Sequence, residues 1–354
     1  MNIKLAQESD KNDWDKYVSA HESGTPYHKW AWLNSITAAY GFKTVGWLVT
    51  NEQGEVLGVL PMAKISIPLL SSKLTALPYC DAGGVLANSI EVKNQLLDKA
   101  ITFANDNKIT TIEHRQTKVL DQAEELSQES KVRMLLALPE SSEELLASFK
   151  SKLRSQIRKA EKNGLTASTG NDQQHLDGFY QVYTRNMRDL GSPAHSKRWF
   201  ESVISTFGGE AIIANVYKDD VVVGAGIVLF NGERCSIPWA STVADYNRLA
   251  PNMLLYWSLL AYSTDSGCKE FDFGRSTPGE GTYKFKAQWG AKPSGLDWQV
   301  FKDGHLITEA PSEGSDNKPG HTSKLRSSLE LVWQKLPVSL ATFIGSNLRK
   351  YITL

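Results

Sequence analysis

Only three cysteines occur in the chain, Cys80, Cys235 and Cys268. Few, widely spaced and odd in number, they exclude a disulfide scaffold, and no CxxC pair marks a zinc or redox site. They read as reduced structural thiols of a cytoplasmic protein. Long apolar runs are missing as well. No stretch reaches the ~18 uncharged apolar residues of a membrane-spanning helix, and the opening MNIKLAQESDKNDW lacks the apolar core of a secretory signal. Neither sign of charge is in excess, with 39 Lys and Arg against 39 Asp and Glu. Bulk charge therefore recruits neither nucleic acid nor membrane, and any polyanion must meet a local patch. Familiar catalytic signatures are also absent. There is no HExxH and no clustered Cys/His set, so no built-in metal site is expected. GxSxG, GxGxxG and GxxxxGKS/T are missing, which removes the hydrolase-elbow, dinucleotide and P-loop readings. Asp272-Phe273-Gly274 matches the kinase metal triplet, but no HRD loop or VAIK strand accompanies it.

What is present is material for a large core: 41% apolar residues and ten tryptophans in a chain long enough for about two domains. A repeat is visible. The strand Val56-Leu57-Gly58-Val59 precedes a helix, Ile90 to Asn105, and a strand, Thr111 to His114. The strand Val222-Val223-Gly224-Ala225 likewise precedes a helix, Pro251 to Asp265, and a strand, Lys269 to Phe273. The fold class is α/β of the α+β kind, two mixed-sheet domains (1–140 and 141–308) facing a cleft. Pro251 suits the first turn of a helix, and Gly224 and Gly226 inside a strand predict a bulge or a close backbone approach. One helix is expected from Ser142 to Asn163, stopped by Gly164. Its Leu145, Phe149, Leu153 and Ile157 make an apolar face, and Lys150, Arg154, Arg158 and Lys162 a basic line four apart. That line is either a solvated surface or a local anion site. Residues 309–323 form a polar, Pro/Gly/Ser-rich linker. Residues 324–354 make an amphipathic helical tail, split by Pro337, that docks on the protein's own body or lies on a membrane surface or a partner. His28 and His114 read as polar boundary residues rather than catalysts.

The densest chemistry lies between Lys269 and Val300, KEFDFGRSTPGEGTYKFKAQWGAKPSGLDWQV. Phe271 and Phe273 alternate with Glu270 and Asp272 as a strand end does. A tight turn from Arg275 to Gly281 follows, then a charged and aromatic run through Tyr283, Phe285, Lys286 and Trp289. DFGRSTPGEGTYKFKAQWGA resembles the C-terminal signature of FemAB-like transferases, specifically the FemAB-related proteins found with exosortase/PEP-CTERM exopolysaccharide systems. HKWAWLNSITAAYGF, GVLPM, LPYCDAGG and SKLRSQIRKAEKNGL extend the resemblance over nearly the whole chain. It implies two fused GNAT-like (acetyltransferase-type) domains, in agreement with the repeat. It also implies transfer of an acyl or aminoacyl group to an amine or hydroxyl of an exopolysaccharide- or peptidoglycan-type envelope precursor. By the same resemblance Lys286 stands where the family has its catalytic lysine, for oxyanion stabilisation or proton handling. Arg275 would bind a carboxylate or phosphate bidentately. Asp272 or Glu280 would take the proton from the attacking group, and Tyr283 would orient the acceptor. Arg154 and Arg158 would hold a nucleotide or lipid pyrophosphate, and Tyr79, Asp81 and Gly84 would line the other wall of the cleft.

The donor is left between acyl-coenzyme A and aminoacyl-tRNA, with no cofactor built in. GNAT enzymes bind the coenzyme A pyrophosphate on a Q/R-x-x-G-x-G/A turn before a helix. Here that place reads Arg248-Leu249-Ala250-Pro251-Asn252-Met253, without either glycine, which argues against coenzyme A. No sustained heptads supply the coiled-coil arm of some peptidoglycan-modifying members, which argues against tRNA. The acceptor would be a small molecule or a lipid-linked sugar or peptide, with no DNA partner. Two rival readings stand beside the enzyme: a non-catalytic module that uses the GNAT-like cleft to hold an anionic glycolipid or a protein, tethered to the membrane by the tail, and an RNA-binding protein using the basic helix. The latter lacks an RNP-like aromatic pattern or a GXXG loop.

Overall fold

The computed structural model describes residues 1–67, 72–118, 131–303, 305–307 and 321–353. The chain forms two compact units. One comprises Met1–Glu124, Ser294–Lys318 and Tyr351–Leu354, and the other Glu125–Pro293 and Pro319–Lys350. Each carries a mixed sheet with helices packed on it. Of the expected linker, residues 309–320 lie outside the described residues.

In the first unit the chain runs β1 (Asn2–Leu5), α1 (Lys11–Ala20), α2 (Trp30–Tyr40), β2 (Lys43–Thr50), β3 (Val56–Ser66), β4 (Ser72–Ala76), β5 (Leu86–Ala87), α3 (Ile90–Asp106) and β6 (Thr111–Lys118). β1 to β4 are antiparallel neighbours in sequence order, and β4 then pairs in parallel with β6. A parallel pair needs a crossover, and α3 supplies it. Its buried residues, Val92, Leu96, Ala100 and Ala104, recur every four positions, so one narrow stripe meets the sheet. Gly58 on β3 permits that contact, because a Cβ there would lie 2.6 Å from Val92 Cγ1.

The second unit runs β7 (Val132–Ala137), α4 (Ser142–Ser148), α5 (Ser151–Lys162), β8 (Leu165–Gly170), α6 (Gln173–Asp189), α7 (Lys197–Phe207), β9 (Ala211–Lys218), β10 (Val221–Asn231), β11 (Arg234–Thr242), α8 (Pro251–Asp265), β12 (Glu270–Ser276) and α9 (Gly281–Gln288). Its strand order is β7-β12-β11-β10-β9-β8. β11 and β12 are parallel, joined by α8, so the plan of the first unit recurs. β10 is an almost unbroken apolar run because α6 and α8 both pack on it. Its register slips between Val222 and Gly224 and again between Ile227 and Leu229, the irregularity that the two glycines foretell. The chain then continues through β13 (Lys292–Lys302), which pairs with β6, and β14 (His305–Ile307). Last come α10 (His321–Gln334) and α11 (Val338–Leu348), separated at Pro337 and packed on α6.

One local expectation is corrected. The single helix from Ser142 to Asn163 is two helices, because Phe149 and Lys150 are extended, with ψ of 146° and 145°. The break turns the Phe149 ring into the core, 5.5 Å from Trp289 and 6.1 Å from Trp257. The charged and aromatic run after the Gly-rich turn forms α9, opened by Glu280 at its N-cap.

Candidate active site

The DFGR stretch builds a kink in β12. Its pairing with β7 shifts register between Asp272 and Arg275, and Gly274 sits there at φ 74°, a conformation that costs glycine little and other residues more. Three side chains fix the kink. Asp272 Oδ1 accepts the Gly274 amide at 2.8 Å, and Asp272 Oδ2 receives Arg133 Nε at 2.9 Å in a buried ion pair. Lys286, on α9, donates to the carbonyls of Gly274 (3.0 Å) and Arg275 (2.8 Å) and is only 8% exposed. The signature thus brings together Asp272, Lys286 and the Arg275 carbonyl, with Arg133 of β7 as a partner from outside it. Both Asp272 oxygens are engaged. Glu280 is solvent-exposed and Tyr283 half-buried on the first turn of α9.

Beside the kink the sheet opens. β11 and β12 pair only from Arg234–Ser236 to Glu270–Asp272 and then separate. A cavity of about 160 Å³ lies at the far end of β11, lined by Asn186, Ser241, Thr242, Asn252, Leu255 and Tyr256. Tyr256 ties it to the signature, stacking on Phe273 at 5.6 Å and meeting Phe285 edge-on at 4.9 Å. Burial pushes the Tyr256 phenol up to about 12, so it remains a neutral O–H donor at ordinary pH. Asn186 Nδ2 donates to Ser241 Oγ at 3.2 Å. The lining is therefore neutral and polar, with an aromatic floor. Tyr256 and Asn186 went unnoticed in the sequence because each sits in an ordinary amphipathic or apolar helical run. The start of α8 beside this cavity is poor in free amides. Ala250 is left-handed at φ 64°, Pro251 has no N–H, and the Met253 amide bonds to the Ala250 carbonyl at 3.0 Å.

The other expected residues lie elsewhere. Arg154 turns its guanidinium back onto the carbonyls of Ala147 (3.1 Å) and Phe149 (2.7 Å), satisfying the end of α4. Arg158 is exposed. Tyr79, Asp81 and Gly84 belong to the first unit. Tyr79, at φ 66°, gives its amide to Thr353 O at 2.7 Å and packs edge-on against Tyr40. The Asp81 carbonyl accepts Trp298 Nε1 at 2.9 Å. Gly84 approaches the backbone so closely that a Cβ would be 2.7 Å from Arg115 O. Gly84 also lines a cavity of about 300 Å³ with His21, His28, Ser89, Lys93 and Gln116. Arg115 near it is engaged by the carbonyls of Leu77, Cys80 and Thr353 and by Glu113. His114 is buried, its Nε2 accepting the Val85 amide, and desolvation, aided by the Lys93 charge, lowers its pKa to about 3. It is a neutral packing residue. Among the described residues no three of His, Cys, Asp and Glu form a metal-binding group.

Residues 147–287, which include Asp272, Lys286 and the smaller cavity but not Arg133 or the first unit, match the family model of the acetyltransferase (GNAT) domain. A search of the curated proteins finds no match. Among solved structures, FemX superposes with a TM-score of 0.65 at 16% identity, over 84% of this chain and 96% of that one. A tandem GNAT protein from the clavulanic acid biosynthesis pathway gives 0.52 at 10% identity, over 86% and 99%. The C-terminal domain of a protein assigned as a lysylphosphatidylglycerol synthetase from Agrobacterium fabrum gives 0.52 at 12% identity, over 83% and 91%. Likeness at these identities is likeness of fold, and the fold is mixed α/β of the tandem GNAT kind.

Proposed function

We propose that the chain is a GNAT-type, FemAB-like transferase that moves an acyl or aminoacyl group from an activated ester or thioester to an amine or hydroxyl of a cell-envelope precursor. The observation that carries this reading is the separation of β11 from β12 beside a small neutral cavity, within the residues matched by the acetyltransferase model. The acceptor lone pair attacks the donor carbonyl carbon, and the carbonyl electrons move onto oxygen as a tetrahedral oxyanion. Collapse expels the alcohol or thiol, and the acceptor proton ends on that leaving group. A space of about 160 Å³ suits the reacting carbonyl group rather than a whole substrate. The Tyr256 phenol is suited to protonate the leaving group, and the proton that a base takes from the acceptor restores the phenol through solvent. The site also needs fixed positive character near the oxyanion. In this reading Lys286 supplies it, held at the end of β12 by two carbonyls. Glu280, rather than Asp272 with both oxygens engaged, is the carboxylate open to act as a base.

The amide-poor start of α8 favours an aminoacyl ester over a coenzyme A thioester, because a pyrophosphate is best held by several free N–H groups. The same branch is suggested by the likeness to a domain assigned to a lysylphosphatidylglycerol synthetase. The test presents the full chain with radiolabelled aminoacyl-tRNAs and, separately, acetyl-coenzyme A, each with an extract of lipid-linked and nucleotide-linked envelope precursors. Label should pass to a precursor from aminoacyl-tRNA, and Tyr256→Phe and Asn186→Ala should each slow transfer about tenfold with melting temperature held. Transfer from neither donor, with binding alone in a thermal-shift assay, would replace the enzyme reading by that of a binding module.

A further inference from the structure

The outward side of the tail helices carries large apolar side chains where a surface helix ordinarily carries charge. On α11, Leu340, Phe343 and Leu348 are 43%, 70% and 49% exposed. At about 100° per residue they fall within an arc of about 140°, beside the side on which Ala341 and Gly345 are buried. Gly345 sets that orientation, since a Cβ there would lie 2.7 Å from the Ala194 amide nitrogen. No charged residue occurs from Val338 to Leu348. On α10, Leu329 and Val332, three positions apart, are each 61% exposed. The charge that is present is mainly of one sign. Residues 321–350 hold Lys324, Arg326, Lys335 and Lys350, besides Arg349, whose side chain turns inward to the buried Tyr183, against the single acid Glu330, in a chain whose total charge is zero.

We propose that the outer face of α10 and α11 is a peripheral docking surface for an anionic lipid layer. Interfacial helices combine an apolar face that enters the headgroup boundary with flanking cations drawn to acidic headgroups. Neither helix is long and apolar enough to cross a bilayer, so they lie on it. Charge also argues against a second copy as the occupant, because a symmetric contact would bring two cationic segments face to face. A tail held this way keeps the second unit at the surface where lipid-linked molecules are presented, though the surface does not depend on which group is transferred.

The experiment is co-sedimentation of the full chain with vesicles of phosphatidylcholine alone and with about 30% phosphatidylglycerol added. The bound fraction should be about tenfold higher on the anionic vesicles and should fall at high salt. Phe343→Asp should lower it about tenfold and Lys335→Glu about threefold, each with an unchanged melting curve. Should Phe343→Asp fail to fold, Leu348→Ser reads the same face. Absence of binding to anionic vesicles, or equal binding by parent and variant, overturns the proposal. So does a dimer in solution that Phe343→Asp dissociates while vesicles bind neither form, because the face would then join copies of the chain.

Discussion

The two units repeat one plan with different materials at the critical place. In each, the parallel strands flanking a crossover helix stay paired for a few residues only, Lys73–Ala76 with Thr111–His114 and Arg234–Ser236 with Glu270–Asp272. In the first unit, charge at the strand ends is engaged by the fold itself. Arg115 gathers three carbonyls, and Glu113 lies between Arg115 and Lys73 at 3.0 and 2.6 Å. In the second, the opening is lined by Tyr256, Asn186 and Ser241, while the charged pair Arg133–Asp272 is set into the β12 kink. Duplicated architecture therefore does not imply duplicated chemistry. Arg115, engaged by three carbonyls and by Glu113, stabilises the loops it touches, whereas the neutral donors around the gap are placed to meet a substrate.

That contrast can be broken by substitution. The largest effect should come from Asp272→Ala, which leaves Arg133 buried without its partner carboxylate and should remove about 3–5 kcal/mol from the second unit in urea titration. A change under about 1 kcal/mol would show that the kink does not rest on this pair. Lys286→Met should lower turnover about a hundredfold, equivalent to about 2.7 kcal/mol of barrier, with a much smaller change in melting temperature. Proportionate losses in both would make Lys286 a fold residue only. In the first unit the sharpest probe is pH. The His114 pKa is about 3 when folded against 6.5 unfolded, so unfolding takes up a proton as pH falls below 6.5. Its stabilisation is complete above pH 6.5 and declines toward pH 3, by roughly 2 kcal/mol at pH 5. Buried His195 in the second unit has the same sign. His114→Leu should flatten the pH dependence of the first unit alone. Burial by itself would raise the Glu113 carboxyl, but the Arg115 and Lys73 charges outweigh it and hold it below its usual value. Its contribution is thus present above about pH 4.5 and lost on further acidification. The smallest effect belongs to Arg158→Ala, an exposed position where stability should change by under about 0.5 kcal/mol.

Much of the fold could be read from local pattern. The four-residue spacing of Val92, Leu96, Ala100 and Ala104 marks α3, Pro251 marks the start of α8, and Pro337 divides the tail. The break at Phe149–Lys150 was hidden because its cause is tertiary: the ring leaves the helical line to meet Trp257 and Trp289, over a hundred positions on. The site was legible only as a stretch. Its charged and glycine residues stood out, but their partners did not, since Arg133 and Asp272 are 139 positions apart.

By itself, then, the sequence determined the elements and their repetition, because helical and strand periodicities and the proline and glycine restrictions act over a few residues. Only the tertiary structure decided what each polar side chain does. The register of β12 against β7 set Asp272 on Arg133 and on the Gly274 amide, and the packing of α9 set Lys286 on two carbonyls. The separation of β11 from β12 left Tyr256 and Asn186 around a gap. Hydrogen bonds and ion pairs are made between atoms about 3 Å apart, and only the folded chain brings residues so distant in sequence to that range.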